Sequence, residues 1–92
     1  MTLTRKEKRA LRAAANTLKP IVYIGKSGLK NEQLSAIDEA LEKHELIKIK
    51  FIEFKEQKKE LCKQIEERCS CRRVGLIGHV ALFYRARSDE TE

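Results

Sequence analysis

Apolar positions recur along the chain with two spacings, one helical and one extended. Thr4-Arg5-Lys6-Glu7 opens the first helical segment as a capping box. The Thr4 hydroxyl can accept the Glu7 amide, and the Glu7 carboxylate can accept the Thr4 amide. The pattern predicts a helix over about residues 5–16, ending before Lys19-Pro20. At about 100° per residue, Ala10, Leu11, Ala14, Ala15 and Leu18 share one side. Arg5, Lys8, Arg9 and Arg12 share the other. Ile21 to Ile24 is a short β-rich run between Pro20 and Gly25. A second helix is expected from Asn31, a good N-cap. Leu34, Ile37, Ala40 and Leu41 form its apolar stripe, and Asp38, Glu39, Glu42 and Glu45 an acidic face. In "LIKIKFIEF", residues 46–54, Ile47, Ile49 and Phe51 alternate with Lys48 and Lys50, which is the period of a strand. A third helix over roughly 56–69 turns Leu61, Cys62, Ile65 and Cys69 inward.

"RRVGLIGHVALFYR", residues 72–85, reads as a hairpin. Gly78-His79 suits a two-residue type II′ turn, with glycine at its first position. Paired residue numbers then sum to 157, which sets Arg72 against Arg85 and Arg73 against Tyr84. Two arginines face to face are unfavourable unless an anion lies between them. The element order is α-β-α-β-α-β-β. It predicts a two-layer α/β domain with a mixed four-stranded sheet, because helix-linked strands run parallel and the hairpin antiparallel. Residues 1–87 make one domain, and 88–92 are expected to be a short disordered acidic tail.

Charge sharpens this picture. Charged residues make up 37% of the 92-residue chain, against about 25% in ordinary domains. The net charge is +6, and it is unevenly placed. Residues 1–30 hold eight Lys/Arg and one Glu. Residues 31–69 hold eight basic and ten acidic side chains, and residues 70–92 four and three. A cationic N-terminal third is what an anion-binding surface requires. A chain of this size has a thin core and little room for a deep catalytic cavity. No apolar run reaches the length of a membrane span, and no apolar stretch follows the basic N-terminus as in a secretory signal. Cys62, Cys69 and Cys71 are odd in number and match no zinc spacing, so buried reduced thiols in a cytoplasmic protein are expected.

"YIGKSGLKN", residues 23–31, holds the candidate chemistry. Gly25-Lys26-Ser27 resembles the end of a nucleotide-binding P-loop. That motif needs a glycine at position 20, where Pro20 stands, and a phosphate-wrapping loop where Ile21 to Ile24 form a strand. The better parse is G-x-x-G, Gly25-Lys26-Ser27-Gly28, between a strand and a helix. Such a loop lets the main chain approach a nucleic-acid backbone with no Cβ in the way. Amides at the following helix N-terminus, the Lys26 cation and the Ser27 hydroxyl can then meet phosphate oxygens.

The residues in "LTRKEKRALRAAANTLKPIVYIGKSGL", "ALEKHELIKIKF" and "IGHVALFYR" resemble the YhbY-like family, single copies of the CRM (chloroplast RNA splicing and ribosome maturation) domain. "LKPIVYIGKSGL" and "HELIKIK" are the most specific stretches, and the resemblance covers about residues 2–87. It implies a fold related to the C-terminal domain of translation initiation factor three. It also implies binding to ribosomal RNA in precursors of the large ribosomal subunit. In that family the G-x-x-G loop and neighbouring basic surface are the expected RNA contacts. These map to Gly25, Lys26, Ser27 and Gly28, with Arg5, Lys8, Arg9 and Arg12 as the adjacent basic surface. Many relatives continue into a basic tail, whereas this sequence ends in Asp89, Glu90 and Glu92.

Lys19 and Lys30 flank the loop and are secondary candidates. Tyr84 could stack on a base beside Arg73 and Arg85, or serve as an ordinary sheet residue. Tyr23, Phe51, Phe54 and Phe83 read as packing residues. His44 and His79 have no nucleophile or carboxylate pattern that would argue for catalysis. The expectation is a non-enzymatic, monomeric RNA-binding protein with no cofactor, metal, membrane or small-molecule substrate. The rival reading is a protein-interaction module that works through the acidic side of the second helix.

Overall fold

A computed structural model describes residues 3–86; the expected tail at 88–92 lies outside the described residues. The elements are α1 (Arg5–Ala14), β1 (Val22–Ile24), α2 (Asn31–His44), β2 (Leu46–Phe51), α3 (Lys58–Cys69), β3 (Arg72–Ile77) and β4 (Val80–Tyr84). Short 3-10 turns, Ala15–Thr17 and Lys55–Gln57, follow α1 and precede α3. The capping box of α1 is formed in full. Thr4 N–H donates to Glu7 Oε1 at 2.9 Å, and Glu7 N–H to Thr4 Oγ1 at 3.0 Å. Asn31 is the first residue of α2 rather than its cap. The cap position is Lys30, whose N–H is satisfied by Gln33 Oε1 at 3.0 Å.

The sheet is mixed and four-stranded, in the order β1-β2-β4-β3. β1 and β2 are parallel, joined through α2, while β4 runs antiparallel to both β2 and β3. The α2 and α3 stripes form one layer. Ile37, Ala40, Leu41, Cys62, Ile65 and Cys69 close over Val22, Ile24, Ile47, Ile49, Phe51, Ala81 and Phe83. Ten of the largest core side chains are fully buried, and no polar or charged residue among those described is buried with them. Each such Ile, Leu or Phe contributes about 1.5–3 kcal/mol through its burial. The thiols belong to this layer. Burial raises all three, and Cys71 is pushed up to about 12.

The opposite sheet face carries α1 over part of its area. Leu11 and Ala15 pack on Val74 and Leu82, with Leu3, Leu46, Val80 and Tyr84 around them. This corrects the expected orientation of α1. Ala10, Ala14 and Leu18 are exposed, and Lys8 is half-buried. The helix is rotated because the stem of Arg12 lies on Gly75, where a Cβ would come within 3.0 Å of Arg12 Cδ. Arg12 Nη1 also donates to the Val74 carbonyl at 2.9 Å.

The hairpin turn forms as expected. Gly78 has φ +60°, and His79 is not in the left-handed region. The sum of 157 holds for Ile77–Val80, Leu76–Ala81 and Gly75–Leu82. A bulge at Val74 then shifts the register, so Arg73 pairs with Phe83 and Arg72 with Tyr84. The bulge gives Val74 to the α1 side, and it removes the expected Arg72–Arg85 confrontation.

Candidate nucleic-acid interface

β1 ends at Ile24 and delivers the chain into a tight turn. Gly28 N–H donates to the Gly25 carbonyl at 2.9 Å, which leaves Lys26 and Ser27 exposed at the tip. The two glycines differ in role. Gly28 is buried at φ +71°, with the Phe54 ring 3.4 Å from the site of a Cβ, so the fold requires a glycine there. Gly25 has open space around its would-be Cβ and no left-handed φ. Its backbone is bare at a position where the fold leaves room for a side chain. Gly28 N–H is engaged within the turn, and the side-chain donors at the tip are the Lys26 ammonium and the Ser27 hydroxyl. Phe54, expected in the core, is 41% exposed and braces this turn.

The registers place Tyr23, Lys50, Val80 and Ile77 in one row across the open face, at the end nearest the turn. Tyr23 is 53% and Ile77 62% exposed, and Lys50 is exposed. No strand residue on this face is acidic: it also holds Leu46, Lys48, Leu82, Tyr84, Arg72, Val74 and Gly75. Lys48 Nζ reaches the Leu18 carbonyl at 2.8 Å and ties down the connection into β1. Sequence reasoning missed Tyr23 because a three-residue strand is too short to display its alternation.

The predicted site residues divide. Arg5 and Arg9 are exposed on α1, and Arg12 borders the row from the sheet centre. The basic helix is therefore not adjacent to the turn. Three strand spacings and about four residues of strand separate Arg12 from Gly25, roughly 20 Å, with the Tyr23 row between them. Lys30 is exposed beside the turn, whereas Lys19 is at the opposite end of β1, near Leu46 and His44. Arg73, Tyr84 and Arg85 do not form a cluster. Tyr84 is half-buried beside Leu3 and Leu11. Arg73 is on the helix side, where its N–H donates to Glu66 Oε2 at 2.8 Å. Arg85 also turns to the helix layer. It pairs with Asp38 at 2.7 Å and Glu42 at 3.2 Å and donates to the Cys69 carbonyl at 2.8 Å. Desolvation disfavours its charge, but the hydrogen bond and charge of Asp38, then Glu42, more than offset this and raise it above the usual guanidinium range.

The CRS1/YhbY (CRM) domain model matches residues 3–85. The chain belongs to the CRM domain family. It is 36% identical over 85 residues to an RNA-binding protein of Haemophilus influenzae, covering 91% of this chain and 86% of that protein. It is 35% identical over 88 residues to the probable RNA-binding protein MJ0652 of Methanocaldococcus jannaschii. That match covers 92% of this chain and 65% of the longer relative. The solution structure of the hypothetical protein SAV1595 from Staphylococcus aureus has the same fold. Its TM-score is 0.82 at 35% identity, over 98% of this chain and 95% of that one. The CRM fold thus accounts for the two-layer body, the mixed sheet and the strand–turn–helix setting of the G-x-x-G loop. Among the described residues no group of His, Cys, Asp and Glu is arranged to hold a metal, and no helix is long and apolar enough to cross a membrane.

Proposed function

We propose that this protein is a non-enzymatic RNA-binding protein that joins precursors of the large ribosomal subunit and assists their assembly. The observation that carries the RNA-binding reading is the turn at Gly25–Gly28. Two exposed polar side chains, Lys26 and Ser27, stand at its tip, and Gly25 is bare where the fold does not require it. An RNA strand gripped there can cross the Tyr23 row, where a base stacks on the ring, and reach Arg12, Arg9 and Arg5 on α1. The ribosomal role rests on the family resemblance. The relatives' descriptions as RNA-binding proteins support the choice of ligand. The rival protein-docking surface on α2 is weakened, because Arg85 already engages Asp38 and Glu42.

With about five phosphates engaged, log K against log salt on single-stranded RNA should fall with a slope of about −3 to −4. A flat response overturns the reading. The double substitution Lys26→Asp, Ser27→Asp should weaken binding by about tenfold or more and leave the melting temperature within about 2 °C of wild type, since both side chains are exposed. Wild-type affinity in that variant would remove the turn from the interface.

A further inference from the structure

A second set of cations, which shares only Lys50 with the Tyr23 row, gathers at the β3–β4 turn. His79 is exposed at the turn, and its Nδ1 lies 3.0 Å from Lys58 Nζ, at the start of α3. Lys58 Nζ is held in place by donating to the Gly78 carbonyl at 2.7 Å. Lys55, in the short turn before α3, and Lys50, near the end of β2, complete the cluster. The connection after β2 joins this tip to the G-x-x-G turn. Phe51 N–H donates to the His79 carbonyl at 2.8 Å, and Ile52 and Glu53 N–H donate to the Ile24 carbonyl at 2.9 and 3.1 Å. The Phe54 ring then rests against Gly28. Both turns therefore stand at one end of the sheet on a shared, braced support.

The lysines around His79 act on its ring in one direction. Desolvation beside Lys58, and then the charges of Lys58, Lys55 and Lys50, hold His79 below its ordinary imidazole range. Glu53 and Glu56 are the carboxylates on the same connection, yet the charges that shift His79 are all positive. With Lys58 donating to Nδ1, the neutral ring presents its Nε2–H outward as a donor. An anion that draws Lys58 Nζ off Nδ1 and onto itself would relieve the repulsion and free Nδ1 to take up the proton.

We propose that the hairpin tip is a second phosphate-binding point, where Lys50, Lys55, Lys58 and His79 hold an RNA phosphate beyond the one at Lys26 and Ser27, with proton uptake by His79 coupled to binding. The inference rests on the RNA-binding reading and adds a site and a pH dependence to it. The sign follows from linkage. A phosphate raises the His79 pKa, so the complex binds more protons than the free protein and affinity rises as pH falls through the His79 titration.

The test uses the full chain and a mixed-sequence 12-nucleotide single-stranded RNA at 0.1 M salt. The two histidine rings are titrated by NMR with and without RNA, and affinity is measured from pH 7.5 to 5.5. The His79 pKa should rise in the complex, and His79→Gln should abolish the gain in affinity at low pH. Lys55→Ala, which leaves the Tyr23 row intact, should lower affinity about fivefold and flatten the salt slope by about 0.7, as for one phosphate no longer neutralised. Thermal melts of each variant establish that it is folded. If wild type binds RNA but the His79 pKa does not move, or if the lysine variant keeps wild-type affinity and slope, the tip site is overturned and the G-x-x-G reading stands. If wild type binds no RNA, the proposed function itself fails.

Discussion

The two faces of the sheet are built from the same four strands and differ in what they carry. On the helix-covered side, Val22, Ile24, Ile47, Ile49, Phe51, Ala81 and Phe83 are apolar and at most 7% exposed, with half-buried Leu76 and Arg73 at the β3 edge. The residues of α2 and α3 complete a dry core there. On the other side, one row leaves Tyr23 and Ile77 more than half exposed and places Lys50 between them. A domain this small has little apolar surface to bury, and it concentrates that burial on one side. Tyr23, Ile77 and Lys50 of this row, and Lys26 and Ser27 at the turn beyond it, lie outside that core. Under the proposed function these exposed positions are the surface offered to RNA.

Substitutions on the two sides should therefore separate stability from binding. The largest effect belongs to the core side. Phe83→Ala removes a fully buried ring and should cost about 3–5 kcal/mol of stability in a denaturant titration. A cost below about 1 kcal/mol would mean that the two faces are not energetically distinct. Tyr23→Ala should do the reverse. RNA affinity should fall by about 1–3 kcal/mol, as expected for loss of one base–aromatic stack, with denaturation midpoints nearly unchanged. The sharpest contrast lies within a single turn and involves the smallest energies. Gly28→Ala forces a side chain into the left-handed region against the Phe54 ring and should destabilise by about 1 kcal/mol or more. Gly25→Ala should leave stability equal or slightly higher, yet weaken RNA binding, because the added methyl stands where the ligand approaches. Equal stability losses at the two glycines would show that both serve the fold alone.

Much of this layout was legible in the sequence, for identifiable reasons. The α1 capping box, the stripes of α2 and α3, the alternation of β2 and the Gly78 turn are local patterns, and local physics produces them. The bulge at Val74 was not legible, because Val-Gly within a β-rich run reads equally well as a smooth strand. That one residue moved Arg72 opposite Tyr84 and, with Arg85 claimed by Asp38 and Glu42, dispersed the expected cationic cluster at the end of the hairpin. The rotation of α1 also depended on tertiary packing, since the long stem of Arg12 covers Gly75 where helix periodicity favoured the alanines. The cluster of Lys50, Lys55, Lys58 and His79 joins separate elements and became visible only once β4 was seated between β2 and β3.

The most direct test of the central claim is a residue-by-residue map of the RNA interface, from backbone amide NMR shifts of the full chain titrated with single-stranded RNA. The account predicts the largest changes at Tyr23, Gly25 to Gly28, Lys50 and His79, smaller ones along Arg5, Arg9 and Arg12, and little change at Asp38 and Glu42. A map centred on the exposed side of α2, with the G-x-x-G turn and the Tyr23 row unmoved, would contradict it.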